Sequence, residues 1–299
     1  MARSGTGRGL LYGVIAYGTW GLAPLYWQLL KPAMPLEILA HRMTWSLVFL
    51  AIVNQLRRNW GEIRKVLQTP RLLRLLTAAA LLITLNWGLY IWSIVNEHVI
   101  DASLGYFINP LINVVFGVWV FSERLRKLQW LAFGVAAIGV LWITIDTHAV
   151  PWIGLILGVT FSAYGMVKKV ADVDGVESLT IETLLLLPFS ALYLIYLEFN
   201  GAAAFGHVSW NQTFWSLMAG VLTAVPLLAF GAAAVRIPYS TMGILQYMSP
   251  TIQFLIGFTI LHETMTSGRW IGFAIVWCGL AIFSIDALRA GRNFAQSDE

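Results

Sequence analysis

Apolar residues in this chain run in long unbroken stretches, without the strict alternation of a half-buried strand. Ten stretches are free of Asp, Glu, Lys and Arg: 9–30, 43–56, 75–96, 102–122, 128–145, 147–167, 183–197, 199–235, 237–262 and 270–285. Most approach the ~20 residues that a helix needs to cross a ~30 Å hydrocarbon core. The eighth opens on a polar stretch, Asn200 to Asn211, so its helix is expected from near Thr213. Membrane barrels are excluded, because their strands alternate over ~10 residues. The pattern predicts an all-α polytopic membrane protein with ten transmembrane helices.

Composition sharpens this. Charged residues make up 11% of the 299 and apolar ones 58%, too little charge for a water-soluble surface. The first stretch follows Arg3 and Arg8 but is too long for a secretory signal, so it is expected as a retained helix. Alternate assignment of the loops puts 16 of the 19 Lys and Arg residues on one side, leaving Lys31, Arg42 and Arg269 on the other. By the positive-inside rule both termini are cytoplasmic. The net charge of +4 therefore reports topology and gives no support to nucleic-acid binding. The lone Cys278 offers neither a disulfide nor a metal site.

Sliding the chain against itself by 140 residues aligns Pro110 with Pro250, Gly117 with Gly257, Glu123 with Glu263, Trp130 with Trp270 and Asp146 with Asp286. At a slightly different offset the first and sixth stretches share a GxxxGV pattern, at Gly9–Gly13 and Gly154–Gly158. Five helices per copy is an odd number, so the second copy must enter the membrane from the opposite side. Two inverted five-helix repeats are expected, over residues 1–149 and 150–289, with 290–299 as an unstructured cytoplasmic tail. Inverted repeats are common in secondary transporters, whose sites lie near mid-membrane between the copies.

Polar residues inside the stretches name candidate positions. The two shortest stretches are cut short by Arg42 and Glu182, again 140 apart. Charges at such depth face a bundle interior or wet cavity, unless they snorkel to the surface. Tyr106, Asn109 and Asn113 fall on one helical face, as do their counterparts Gln246, Ser249 and Gln253. These amides either bond between helices or line a cavity, and the neighbouring Pro110 and Pro250 favour the cavity wall. Asn86, Tyr90 and Ser93 share another face, with Trp87 beside them, and Trp20 and Tyr164 stand mid-helix in the first and sixth stretches.

The runs PLEILAHRMTWS (35–46), DASLGYFINPLINVVFG (101–117), SERLRKLQWLA (122–132) and STMGILQYMSPT (240–251) resemble the EamA family of the drug/metabolite transporter superfamily, in its RarD-like branch. The resemblance implies two inverted five-helix repeats in a bacterial-type inner membrane and export or exchange of small metabolites or drugs, in a branch labelled for chloramphenicol sensitivity. It places cavity positions at Arg42, Asn86, Trp87, Tyr90, Tyr106, Asn109, Gln246 and Tyr247. The expected activity is secondary transport of small amphipathic or aromatic solutes by alternating access, with substrate contacts also from Trp20, His41, Asn113, Tyr164 and Gln253. Arg42 and Glu182 are the gating candidates. Glu182, then His41, is the candidate proton carrier. No nucleotide-binding loop, HExxH or GxSxG is present, so neither a cofactor nor an enzymatic activity is expected. A membrane-embedded enzyme or a passive channel is the alternative.

Overall fold

The computed structural model describes residues 2–297, apart from 122–125, 235, 238–241 and 243–244. Glu123 and parts of the 122–132 and 240–251 motifs therefore lie outside the described residues. Among the described residues there is no strand, and the chain is helical almost throughout. In order the helices are α1 (Ala2–Gln28), α2 (Pro35–Arg57), α3 (Trp60–Leu67), α4 (Pro70–Val95), α5 (Val99–Phe121), α6 (Lys127–Thr147), α7 (Trp152–Ala171), α8 (Gly175–Phe199) and α9 (Trp210–Ala234). They are followed by α10 (Met248–Leu255), which continues as a π-helical turn over Ile256–Ile260, and by α11 (Ser267–Ser297). Among the described residues, eight helices, α2, α4 to α9 and α11, are long and apolar enough to cross a membrane.

Local chemistry sets several boundaries. α2 and α4 each begin at a proline after an extended residue, Met34 and Thr69. Proline suits that position because the first helical N–H groups have no partner to lose. α2 stops at Arg58, whose left-handed backbone turns its N–H onto the carbonyls of Asn54 and Gln55.

Three boundaries differ from expectation. The basic 57–74 stretch, expected as a loop between two apolar runs, contains α3, because Ile63 and Val66 are buried on one face while Glu62, Arg64 and Lys65 stay exposed. Over its fully described part, from Met248 on, the ninth stretch holds an α-helix of 8 residues plus a π turn of 5, and Pro250 sits in that helix's first turn, where it breaks no hydrogen bond. The tail expected to be unstructured continues as helix to Ser297, in keeping with the helix propensity of its Ala, Arg and Gln residues.

The helices pair in a definite pattern. α1 packs on α9 and α10, α7 packs on α4 and α5, α2 faces α8, and α6 faces α11. Hydrogen bonds along α2 and α8 show that the two run antiparallel: Thr44 donates to Ser190 (3.3 Å), Asn54 to Thr180 (2.8 Å) and Asn59 to Glu177 (3.0 Å). At the other end Glu37 accepts the N–H groups of Ala204 and Phe205. The α6–α11 pair is pinned at both ends, by Arg126 Nε on Asp286 Oδ2 at 2.8 Å and by the Thr266 hydroxyl on Asp146 Oδ2 at 2.9 Å. Large apolar side chains such as Trp119, Trp210 and Phe199 point outward and are more than three-quarters exposed, which suits a lipid environment and no other.

The α5–α7 contact is a glycine seam. A Cβ on Gly105 would lie 2.5 Å from the Gly154 carbonyl oxygen, and one on Gly158 would lie 3.2 Å from that of Gly105. The GxxxG pattern of α7 thus brings two backbones together. Gly105→Ala is expected to cost about 2 kcal/mol through overpacking. Gly134→Ala, where a Cβ meets nothing within 4 Å, is expected to be neutral. Thermal unfolding of the two variants in detergent checks the contrast.

Candidate functional site

A cationic centre forms where α2, α4 and α9 meet. Arg42 is 6% exposed, its Nε donates to the Thr223 hydroxyl at 3.0 Å, and its guanidinium lies over the Trp87 ring at 3.7 Å and near the Trp27 ring at 5.2 Å. The phenols of Tyr106, Tyr90 and Tyr26 are close enough to feel its charge. Among the described residues no carboxylate lies within ion-pair distance of it. Burying a charge costs several kcal/mol, and cation–π contacts return about 2 kcal/mol when desolvated. The cage therefore compensates the charge only in part.

From this centre a line of aromatic rings leads towards α8. Tyr90 meets Tyr106 edge-on at 5.6 Å, Tyr106 meets Phe161 at 5.9 Å, and Phe161 lies 6.2 Å from Tyr164. The line ends at Glu182, which is fully buried. Unlike Arg42 it is saturated: Oε1 accepts from Lys168 Nζ (2.8 Å) and the Ser178 hydroxyl (2.7 Å), and Oε2 from the Tyr164 hydroxyl (3.1 Å). Positions 42 and 182, 140 residues apart in the chain, thus hold one caged cation and one paired anion.

The amides join helices. Asn86 donates to the Leu157 carbonyl and the Thr160 hydroxyl, both at 2.9 Å, and accepts from Tyr106. Asn109 donates to Ser162 at 2.9 Å and accepts from Asn113 at 3.1 Å. Gln253 donates to the Trp20 carbonyl and to Ser249. Of the two readings open from sequence for Asn109 and Gln253, their donor groups take the interhelical one, and the Asn86 amide, expected in a cavity, also donates across helices.

The remaining candidates disperse. Trp20 packs edge-on to Tyr17 and beside Phe230, Tyr247 lies against the Phe254–Phe273 cluster of α10 and α11, and Gln246 is half-buried just before α10. His41 turns away from Arg42. Its ring lies against Phe205 at 4.6 Å, tilted by 30°, and accepts the Trp45 N–H at 3.2 Å, lining a separate cavity of 270 Å³ with Glu37 and Glu198. Thr223, Trp27 and Lys168 were not singled out as site residues. Thr223 is 181 residues from its partner, and Lys168 has the sequence appearance of a topology charge.

Comparison with known proteins agrees with this architecture. The EamA-like transporter family model matches residues 7–145. A Streptomyces exfoliatus relative named Protein RarD is 48% identical over 285 residues, covering 95% of this chain and 90% of its own. The chain belongs to the EamA-like transporter family, with the RarD proteins. A Vibrio cholerae member named an uncharacterized transporter is 43% identical, covering 95% of this chain and 94% of its own. A solved crystal structure shares the fold at a TM-score of 0.60 and 16% identity, covering 93% of this chain and 98% of that one. Like its bacterial EamA relatives, the chain is a multi-pass inner-membrane protein and a transporter.

The saturated Glu182 site carries its own prediction. Glu182→Gln strands the mostly buried Lys168 ammonium and is expected to cost about 2 kcal/mol. Adding Lys168→Met is expected to restore most of that loss, as read by denaturant unfolding of the two variants in micelles.

Proposed function

We propose that this EamA-family protein is a secondary active transporter that exports or exchanges small amphipathic or aromatic metabolites or drugs by alternating access. In this reading ten spans form two inverted repeats, 1–149 and 150–289, with both termini and the 290–299 tail in the cytoplasm. α1 is then the first span and α10 with its π turn the ninth.

The observation that carries the repeat is the pinning of α6 and α11. Arg126 bonds Asp286, and Thr266 bonds Asp146. A shift of 140 residues turns each bond into the other, Arg126 into position 266 and Asp146 into Asp286. The same exchange turns the α1 contacts with α9 and α10 into those of α7 with α4 and α5. Substrate then sits where both halves meet, by the usual logic of inverted repeats. Arg42 holds such a place, on α2 against Trp87 of the first half and Thr223 of the second.

Energy comes from a gradient or from exchange. Protons are the proposed coupling ion, carried at Glu182, with His41 second. Its bond to Lys168 supports Glu182 as a switch, because protonation would release that ammonium.

Purified protein in liposomes is expected to show counterflow, in which internal substrate accelerates uptake of labelled substrate; uptake without acceleration would indicate a channel. Indifference to an imposed pH gradient would remove proton coupling. Neutralising Arg42 or Glu182 is expected to bias the resting state in opposite directions, read by accessibility labelling from the two faces.

A further inference from the structure

The donors around Arg42 are unmatched. The guanidinium uses only Nε, on Thr223, and its other N–H groups have no hydrogen bond among the described residues. Two neighbouring groups, the Trp27 indole N–H and the Tyr90 hydroxyl, are buried and equally without a partner. Buried polar groups are normally satisfied. Here the missing partner is an acceptor that several donors can share, next to a positive charge with no counter-charge.

We infer that the Arg42 cage binds the carboxylate of a small monoanionic solute with a flat apolar body. The inference rests on the transport reading only in taking this cage as the substrate's site. With the guanidinium held over the Trp87 face and bonded only through Nε, its two terminal nitrogens remain to match two carboxylate oxygens. The rings of Trp27, Trp87, Tyr90 and Tyr106 supply flat walls for the apolar part.

The same geometry excludes other classes. An amine would meet Arg42 as a like charge. A zwitterion brings an ammonium as well, which Arg42 repels and which finds no carboxylate within ion-pair distance of Arg42 among the described residues, while Glu182 is committed to Lys168. The favoured ligand is a carboxylate without an amine.

The test compares four matched probes on the full-length protein in detergent: 3-phenylpropionate, its amide, phenethylamine and phenylalanine. Saturable tryptophan quenching and a raised melting temperature are expected with 3-phenylpropionate, and affinity roughly tenfold or more weaker with the other three. Arg42→Gln is expected to abolish the binding and Arg42→Lys to weaken it, since the fork is lost while the charge remains. Tyr90→Phe keeps the test open if Arg42→Gln does not fold. It is expected to weaken 3-phenylpropionate binding without lowering the ligand-free melting temperature, because it deletes a hydroxyl that has no partner. Amide or amine binding as tight as that of the carboxylate would overturn the inference, as would unaltered binding in folded Arg42→Gln or no binding by any probe. Counterflow separates the two readings. Carboxylate binding without counterflow defeats transport and leaves the site, whereas counterflow of the amide or amine alone leaves transport and defeats the site.

Discussion

Within the hydrocarbon layer the chain must satisfy its own polar atoms, because lipid offers no hydrogen-bond partner. That constraint sets how the helices meet. Asn86 and Asn109 on two different helices both donate to α7, so α4, α5 and α7 are tied as a unit. Gln253 ties α10 to α1 through the Trp20 carbonyl. Such bonds require backbones at close range, and the Gly105, Gly154 and Gly158 seam provides it. The amides and the glycines are two parts of one packing solution.

Arg42 and Glu182 show the constraint resolved in two ways. Glu182 has a lysine, a serine and a tyrosine on its two oxygens. Arg42 has one hydroxyl and two indole faces. An ion pair answers a buried charge within the protein, whereas aromatic faces answer it partially and leave donors free. The difference follows from the neighbours: Lys168 lies near the end of α7, where it reaches Glu182 across a short connection, while the helices around Arg42 present no acidic side chain within ion-pair distance among the described residues.

Much of this was legible from sequence because hydrocarbon penalises charge so heavily. Arg42 and Glu182 stood out by interrupting apolar runs, and the 140-residue offset followed from prolines, glycines and aspartates at matched positions. What sequence could not give was the third dimension of the site. Arg42 and His41 are adjacent in the chain, yet one helical step turns His41 onto Phe205 and away from the cage. Thr223 and Trp27 reach Arg42 from other helices, and no local pattern marks them. α3 escapes the charge pattern because Glu62, Arg64 and Lys65 read as loop charges, although Ile63 and Val66 lie three apart.

The ties between helices also divide the molecule mechanically. α4, α5 and α7 form one bonded group, α1, α9 and α10 pack as a second, and each mixes helices from both ends of the sequence. A rocking motion that preserved the buried hydrogen bonds inside each group would have to be taken up between them. Arg42 sits on that boundary, since Trp87 belongs to the first group and Thr223 to the second. One hydrogen bond and one stacked ring are cheap to exchange compared with the amide ties within the groups. A ligand that completes the guanidinium's hydrogen bonds would change the balance at a contact that both groups share, and a local binding event could then bias a global rearrangement.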